Sequence, residues 1–384
     1  MKILYGVVGD GMGHAIRSSV VIPKLLDWGH DLRIVVSGRA HYFLKARFPG
    51  VNKIWGMAMI YEDNEVQKTS TAWSLLRGAV SGLPENVARY FALTEEFAPD
   101  LVISDFETWS ALYGHMHRLP VIGVDNIQAV RRLWHPPEIL RGRKSEWRLA
   151  KSVIKAKIPS AYHYLVTSFF DAEPRKSRTT LVPPILRDII LQAKSTEGEH
   201  LVVYQTSPSF MDLPQTLKLF PDVPFKVYGL RRDLKEEVVE DNLTFCPFSE
   251  DKFVDDLASC RGVIASAGFT LLGEAVHLHK PILATPIRGQ FEQLMNARYL
   301  EHLLGYVDRS KLRRLKVVVN AGNGGAGLIV DQLEPHLPFE FLKLNNAPDG
   351  SFPNGVPNPM IEANRTSTIE AIRRSGADVG IAWD

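Results

Sequence analysis

Ser266-Ala267-Gly268-Phe269-Thr270-Leu271-Leu272-Gly273-Glu274-Ala275, followed by Pro281-Ile282-Leu283-Ala284-Thr285-Pro286 and Gly289-Gln290-Phe291-Glu292-Gln293, decides the reading of this chain. The order is strand, glycine turn, helix, second strand and second helix, so both helix N-termini face one edge of a parallel sheet. Helix N-termini at such an edge attract anions. The turn has no Lys of the phosphate-gripping P-loop kind. Its polar side chains arrive later, at Glu274, Gln290, Glu292 and Gln293, where hydroxyl groups of a sugar can be read. A nucleotide-sugar pocket is the simplest reading of the stretch.

Working outward, residues 3–8 form a short apolar run that ends in Gly9-Asp10-Gly11-Met12-Gly13-His14. Ile16, Val20, Val21, Leu25 and Leu26 then recur at helical spacing, giving strand, glycine loop, helix. Apolar runs at 32–36, 101–103, 121–124 and 164–166 alternate with helical stretches, and so do runs at 201–204, 225–228, 243–245, 262–265 and 281–284. Alternation of this kind marks α/β architecture with parallel sheets covered on both faces. The sequence therefore predicts two Rossmann-like doubly wound domains, 1–175 and 185–304, joined by a polar, Pro-containing linker over 171–184. The ligand crevice is expected between them.

The 384 residues suffice for two or three cores, and 45% hydrophobic with 23% charged residues describe a globular chain. A net charge of +2 excludes a general nucleic-acid binder. Cys246 and Cys260 are too few for a disulfide scaffold and lack zinc-site clustering, which fits a cytoplasmic protein. The N-terminus meets Gly9 too soon for a signal peptide, and no segment approaches the ~20 apolar residues of a membrane span. Residues 131–157 hold nine Lys or Arg against two Glu, with Trp134 and Trp147. This is either a solvated helical face or a peripheral contact for an anionic acceptor at the inner face of a membrane.

The first glycine loop runs Gly9, Gly11, Gly13 rather than G-x-G-x-x-G, and the second strand ends Val36-Ser37-Gly38 without the carboxylate a nicotinamide ribose needs. An oxidoreductase is thereby a minor alternative. His14 closes the loop at a helix start, where a neutral imidazole can accept a proton from an acceptor hydroxyl, or else simply pack the turn. Asp105 and Asp125 each follow a strand and can orient His14, act as base, or cap a helix. Asp105 is the stronger candidate because Ser104 and Glu107 flank it. Glu274 sits among Leu271, Leu272, Ala275 and Val276, with neutral donors expected as its partners.

These residues resemble GT-B glycosyltransferases, specifically the family 28-like branch that includes the peptidoglycan N-acetylglucosaminyltransferase, over about residues 1–304. The resemblance rests on Gly11 to His14, Ile103-Ser104-Asp105-Phe106-Glu107, Ala267 to Leu271 and Gly289 to Gln293. It implies transfer of a hexosyl group from a nucleoside diphosphate sugar to a sugar or lipid-linked acceptor, in cell-envelope polysaccharide or glycolipid synthesis, with no cofactor and no metal. Carried over, Ser266, Ala267, Gly268 and Phe269 would contact the diphosphate, Glu274 the ribose, Glu292 with Gln293 the donor sugar, and Phe248 the base. Gly11, Gly13 and Asp125 would line the acceptor side, with His14 and Asp105 as the catalytic pair. Where the peptidoglycan enzyme has two Gln, this chain has Glu292-Gln293, which leaves the donor sugar open.

From about residue 315 the chain resembles the phosphomannomutase/phosphoglucomutase family, through Val319-Asn320-Ala321-Gly322-Asn323-Gly324, Pro348-Asp349-Gly350-Ser351-Phe352-Pro353-Asn354-Gly355 and Gly380-Ile381-Ala382-Trp383-Asp384. A partial α/β fragment over 306–384 is expected, without the family's phosphoserine loop and so without mutase activity. The segment Tyr299-Leu300-Glu301-His302-Leu303-Leu304-Gly305-Tyr306 fits either parent, and a chimeric junction is expected within it. The remaining alternatives are a sugar-phosphate mutase and a non-catalytic nucleotide-sugar binding protein.

Overall fold

The structure, a computed structural model, describes residues 1–9, 11–54, 61–62, 65–66, 92, 96–158, 160–205, 213–231, 233–305, 313–359 and 361–383. It divides into two compact units, Met1–Leu303 and Leu304–Asp384. Tyr306, the last residue of the expected junction, lies outside the described residues.

In the first unit, β1 (Lys2–Val7), α1 (Met12–Asp27), β2 (Asp31–Ser37), α2 (Ala40–Lys45) and β3 (Val51–Ile54) lead to a two-stranded antiparallel pair, β4 (Tyr61–Glu62) and β5 (Glu65–Val66). Then follow β6 (Leu101–Asp105), α3 (Thr108–Met116), β7 (Val121–Asp125), α4 (Ala129–Arg132), α5 (Lys144–Lys157), β8 (His163–Thr167) and β9 (Thr179–Val182). The strands of the main sheet pair in parallel in the order β3-β2-β1-β6-β7-β8-β9. Strand order reverses between β1 and β6, so the crevice outside their C-terminal ends is the natural ligand site. Register places Val7 beside Asp105 there.

A second sheet follows through α6 (Asp188–Gln192), β10 (Leu201–Tyr204), α7 (Leu213–Lys218), β11 (Phe225–Tyr228), β12 (Val238–Glu240), β13 (Leu243–Cys246), α8 (Glu250–Ser259), β14 (Gly262–Ala265), α9 (Phe269–His277), β15 (Ile282–Ala284) and α10 (Phe291–Gly305). Its order is β12-β13-β11-β10-β14-β15, parallel except for the antiparallel edge strand β12. Successive strand side chains point to opposite faces, and the cores obey that alternation. Ile3, Tyr5 and Val7 enter one cluster and Leu4 another; Val202 and Val203 divide in the same way. Both sheets are covered on both faces, as the uninterrupted apolar runs require.

Two features of this unit depart from the sequence reading. The polar segment 171–184, expected as a linker, carries β9, the edge strand of the first sheet, held by Tyr164 N donating to Arg178 O at 3.0 Å and Ser168 N donating to Val182 O at 2.9 Å. Its polarity reflects an edge strand, not a free connection. The C-terminal helix α10 also returns to the first sheet: Phe291, Met295 and Tyr299, at i, i+4 and i+8, enter that sheet's core. Tyr299 stacks on Phe170 at 3.6 Å, its hydroxyl lies 2.8 Å from His135 Nδ1, and Arg298 Nη1 donates to Ile139 O at 2.7 Å. Tyr299 therefore belongs structurally to the first unit.

The second unit is built from β16 (Lys316–Asn320), α11 (Ala326–Leu333), β17 (Glu340–Leu344), α12 (Glu362–Ser375) and β18 (Val379–Ala382). Its sheet is parallel, in the order β17-β16-β18. Asn320 organises the C-terminal edge: Nδ2 donates to Thr368 Oγ1 at 3.0 Å, and Oδ1 accepts from Gly322 N and Asn345 Nδ2 at 3.1 Å each. A cavity of about 370 Å³ lies beside it, lined by Asn354, Asn358 and Trp383 among others.

Glycine is required where β1 leaves the first sheet. A Cβ on Gly9 would lie 1.8 Å from Ser37 O, and Gly9 N donates to Ser37 Oγ at 2.9 Å, so this loop lies directly on the end of β2. Gly9→Ala should lower unfolding stability by about 1–3 kcal/mol, as overpacking against backbone does. An unchanged denaturation midpoint would show that the loop can move away from β2.

Candidate active site

Asp105 ends β6 and is completely buried, and its carboxylate is paired on every side. Oδ2 accepts from Arg17 Nε at 3.0 Å and from Ser18 Oγ at 3.2 Å, while Oδ1 accepts from His14 Nδ1 at 2.7 Å and from Arg17 Nη2. Burial opposes ionisation of Asp105, yet Arg17 and then His14 outweigh it and hold its carboxyl below the usual range. Arg17 is itself buried and is correspondingly held more firmly charged by Asp105.

The ionised carboxylate fixes the imidazole. A carboxylate only accepts, so the shorter 2.7 Å contact calls for the proton on Nδ1, with Arg17 Nη2 lying 2.9 Å from the same nitrogen, and Nε2 of a neutral ring is then left as the acceptor. No described residue bonds Nε2, and the His14 side chain retains 13% of its exposure. A nitrogen placed in this way can accept a proton. Phe106 next to Asp105 adopts a left-handed backbone (φ 52°), and the turn lets Glu107 cap α3 by accepting from Trp109 N at 2.9 Å and Ser110 N at 2.6 Å. Strain of this kind in a buried non-glycine residue persists where the surroundings enforce it.

Arg17 extends the assembly across the unit. Its Nη1 donates to Asn126 Oδ1 at 3.0 Å, and Asn126 Nδ2 donates to Glu292 Oε1 at 2.8 Å. Asn296 Nδ2 donates to the same oxygen at 2.6 Å and to Ala267 O at 3.1 Å. One polar chain thus runs from the first glycine loop to the turn after β14. Burial pushes the Glu292 carboxyl up to about 7, against the opposing pull of Asn296, Arg17 and Asn126.

The start of α9 meets the start of α1. A Cβ on Gly13 would lie 2.6 Å from Thr270 Oγ1, so a larger residue there would have to displace that hydroxyl. Gly268 is the extended N-cap of α9 and Gly11 that of α1, and neither helix has a side-chain cap or an acidic residue in its first turn. Two neighbouring positive helix ends therefore lack negative charge from these first turns. Ser266 and Ala267 are buried beneath this turn, and Phe269 stacks on Phe169 at 5.5 Å.

Gln293 Oε1 accepts from Ile287 N at 2.9 Å, and Gln290 precedes α10, its N donating to Ile287 O at 3.1 Å. Phe248 is exposed, in the loop between β13 and α8. Asp125 does not orient His14: its Oδ1 accepts from Gln128 N at 2.7 Å, capping the turn into α4, and burial pushes its carboxyl up to about 7. Glu274 overturns the expectation of neutral partners, because Arg187 Nε and Nη2 each donate to one of its carboxylate oxygens at 2.8 Å. A buried helical carboxylate demands such a counter-charge. Arg187 also bonds Glu250 at 2.9 Å, and Glu250 pairs with Arg47, just past the end of α2.

Sequence reasoning missed Arg17, Asn126, Asn296 and Arg187. Arg17 had a signal, a charge three residues after His14 on the apolar side of α1. Away from this crevice, Glu237, Cys246 and Asp256 place their ligand atoms within 4.8 Å of one another. Lys226 and Tyr228 already bond Asp256, and Lys252 pairs with Glu237 at 3.0 Å.

A family model described as glycosyl transferase family 1 matches residues 1–319, and one described as phosphoglucomutase/phosphomannomutase, alpha/beta/alpha domain II, matches residues 297–384. The two overlap where α10 ends, around the boundary between the compact units. Among solved structures, Phytolacca americana UGT2 complexed with UDP-2fluoro-glucose and pterostilbene is similar at 14% identity and TM-score 0.51, over 78% of this chain and 83% of that one. The glycotransferase of kitacinnamycin is similar at 14% identity and TM-score 0.51, over 81% and 87%. These likenesses show the GT-B fold. A stretch of 124 residues is 50% identical to the phosphohexose mutases of Xanthomonas campestris pv. campestris, covering 32% of this chain and 28% of the relative. The chain thus spans roughly a quarter of the length of the curated relatives it matches.

The folded Glu292 takes up a proton more readily than an unfolded one, so the stability it contributes is greatest below about pH 4, the usual Glu range, and is lost as pH rises through about 7. Glu292→Gln mimics the protonated form and should gain stability relative to the parent between pH 5 and 8, as read from urea midpoints. A difference that stays constant over that range would contradict the assignment. With residues 1–319 matched and the two-sheet architecture in place, the chain belongs to glycosyl transferase family 1.

Proposed function

We propose that the chain transfers a hexosyl group from a nucleoside diphosphate sugar to an acceptor hydroxyl in one displacement at the His14 crevice. The observation that carries this reading is the meeting of two helix N-termini, each without a side-chain cap, beside an oriented imidazole. A diphosphate supplies the missing negative charge there. The donor class also fits the UDP-2fluoro-glucose bound by the Phytolacca americana relative.

In this mechanism His14 Nε2 takes the proton of the acceptor hydroxyl. The acceptor oxygen bonds to the anomeric carbon as the bond from that carbon to the diphosphate oxygen breaks, and the electron pair leaves with the diphosphate. Asp105 stabilises the imidazolium that forms, and Arg17 keeps Asp105 ionised. Backbone amides at residues 268–270 and the dipole of α9 stabilise the departing charge before it develops, which is electrostatic preorganisation. Ser266, Ala267 and Phe269 shape that turn. Glu292, Gln293 and Gln290 read the sugar hydroxyls, and Phe248 flanks the base. Glu274 accepts ribose hydroxyls through the lone pairs that Arg187 leaves open.

Gly11, Gly13 and the turn capped by Asp125 form the acceptor side, where a sugar or a lipid-linked saccharide of the cell envelope is the proposed acceptor. The reaction as written needs no metal or cofactor. The mutase likeness of the tail covers a minor part of those relatives, and no sugar-phosphate interconversion is assigned to it.

The reading is tested by nucleotide release from UDP-, GDP-, ADP- and dTDP-sugars. His14→Ala should lower turnover by about 10²-fold or more, with nucleotide affinity by calorimetry unchanged. Undiminished turnover in the variant would refute the role of His14. Failure of every nucleoside diphosphate to bind the parent chain would refute the donor site.

A further inference from the structure

The basic segment 131–157 folds into a surface that the transfer reaction does not use. Helix α5 is fastened to α4 through Trp147, whose Nε1 donates to Val130 O at 2.9 Å, and its Ile154 is buried in the first sheet's core. This turns Leu149 and Val153, one helical turn apart, outward at 55% and 43% exposure. Arg148 and Lys155 are exposed on the same helix. The neighbouring loop adds Trp134, 55% exposed, and it is tied to residues 173–175 by Trp134 N donating to Glu173 O at 2.9 Å and Arg175 N donating to Arg132 O at 2.7 Å. That tie brings the exposed Arg175 and Lys176 beside the helix.

Among the described residues of these segments Glu146 pairs with Arg143, and three further exposed acids, Glu138, Asp171 and Glu173, are outnumbered by six exposed cations, Arg141, Lys144, Arg148, Lys155, Arg175 and Lys176. The crowding is felt electrostatically. Partial burial, then Arg175 and Arg148, hold the Lys151 ammonium below its ordinary range, and Lys176 is lowered in the same sense by burial and by Arg131, Arg132, Arg175 and Lys151. Exposed large apolar side chains set within a cationic rim match an interfacial helix that lies on a membrane. Among the described residues no helix is long and apolar enough to cross one.

We propose that α5 and the 134/175 loop form a docking surface for an anionic lipid bilayer, with Leu149, Val153 and Trp134 entering the headgroup boundary while the surrounding Arg and Lys bind lipid phosphates. The surface is independent of which donor or acceptor the crevice takes.

Co-sedimentation of the full chain with vesicles of pure phosphatidylcholine, and of phosphatidylcholine mixed with phosphatidylglycerol, tests it. Binding is expected only to the mixed vesicles and should weaken with salt. Replacing Arg148, Lys155, Arg175 and Lys176 by Gln should reduce partitioning about a hundredfold or more, since each cation near an anionic surface contributes about fivefold. Leu149→Ser with Val153→Ser should reduce it further with the charge intact, and an unchanged far-ultraviolet circular dichroism spectrum confirms that both variants fold. Two outcomes overturn the proposal: vesicle binding that the Gln variant retains, or binding to free DNA as tight as to vesicles and indifferent to the Leu149 and Val153 substitutions, which would mark a site for a soluble polyanion.

Discussion

A carboxylate with no exposure to water organises the first unit of this chain. Asp105 stays ionised at the C-terminal end of β6 because Arg17, Ser18 and His14 of α1 are all directed at it. An unpaired charge in that position would cost several kcal/mol, so α1 is held in one rotation and one register against the sheet. The same constraint sets the tautomer of His14. The interaction that compensates a buried charge thus also orients an imidazole at the crevice.

Close packing carries this arrangement to the second sheet. Gly9 lets the first loop lie against β2, and Gly13 lets the start of α1 meet Thr270 at the start of α9. Arg17, Asn126, Glu292, Asn296 and Ala267 then connect the two strand-order reversals by direct hydrogen bonds. Helix α10 closes the unit by inserting Phe291, Met295 and Tyr299 into the first core, so the turn after β14 and the His14 loop are held by a shared apolar anchor as well as by polar contacts. The Arg47–Glu250–Arg187–Glu274 series gives a second ionic connection between the halves.

Much of this was legible in the sequence wherever the signal is local. Uninterrupted apolar runs separated by helical periodicity gave both parallel sheets, and a His at a helix start with an Asp at a strand end marked the pair that meets at 2.7 Å. Partners set by long-range packing were not legible. Arg187 finds Glu274 across 87 residues, and Asn126 finds Glu292 across 166, distances over which one chain carries no pairing signal. Asp125 shares with Asp105 the position after a strand, and only the fold distinguishes a turn cap from a carboxylate facing a histidine. Strand β9 was hidden because an edge strand needs little apolar sequence, and Tyr299 because its partner Phe170 lies far away along the chain.

Asp105 holds His14 so that the proton of the neutral ring lies on Nδ1 and Nε2 is left as an acceptor. Nitrogen-15 spectroscopy of the histidine rings, with His14 assigned by its absence in His14→Ala, measures this directly. At a pH where the ring carries a single proton, that hydrogen is expected on Nδ1, shifted downfield by its bond to the carboxylate, with Nε2 unprotonated. A His14 ring with its proton on Nε2 would contradict it.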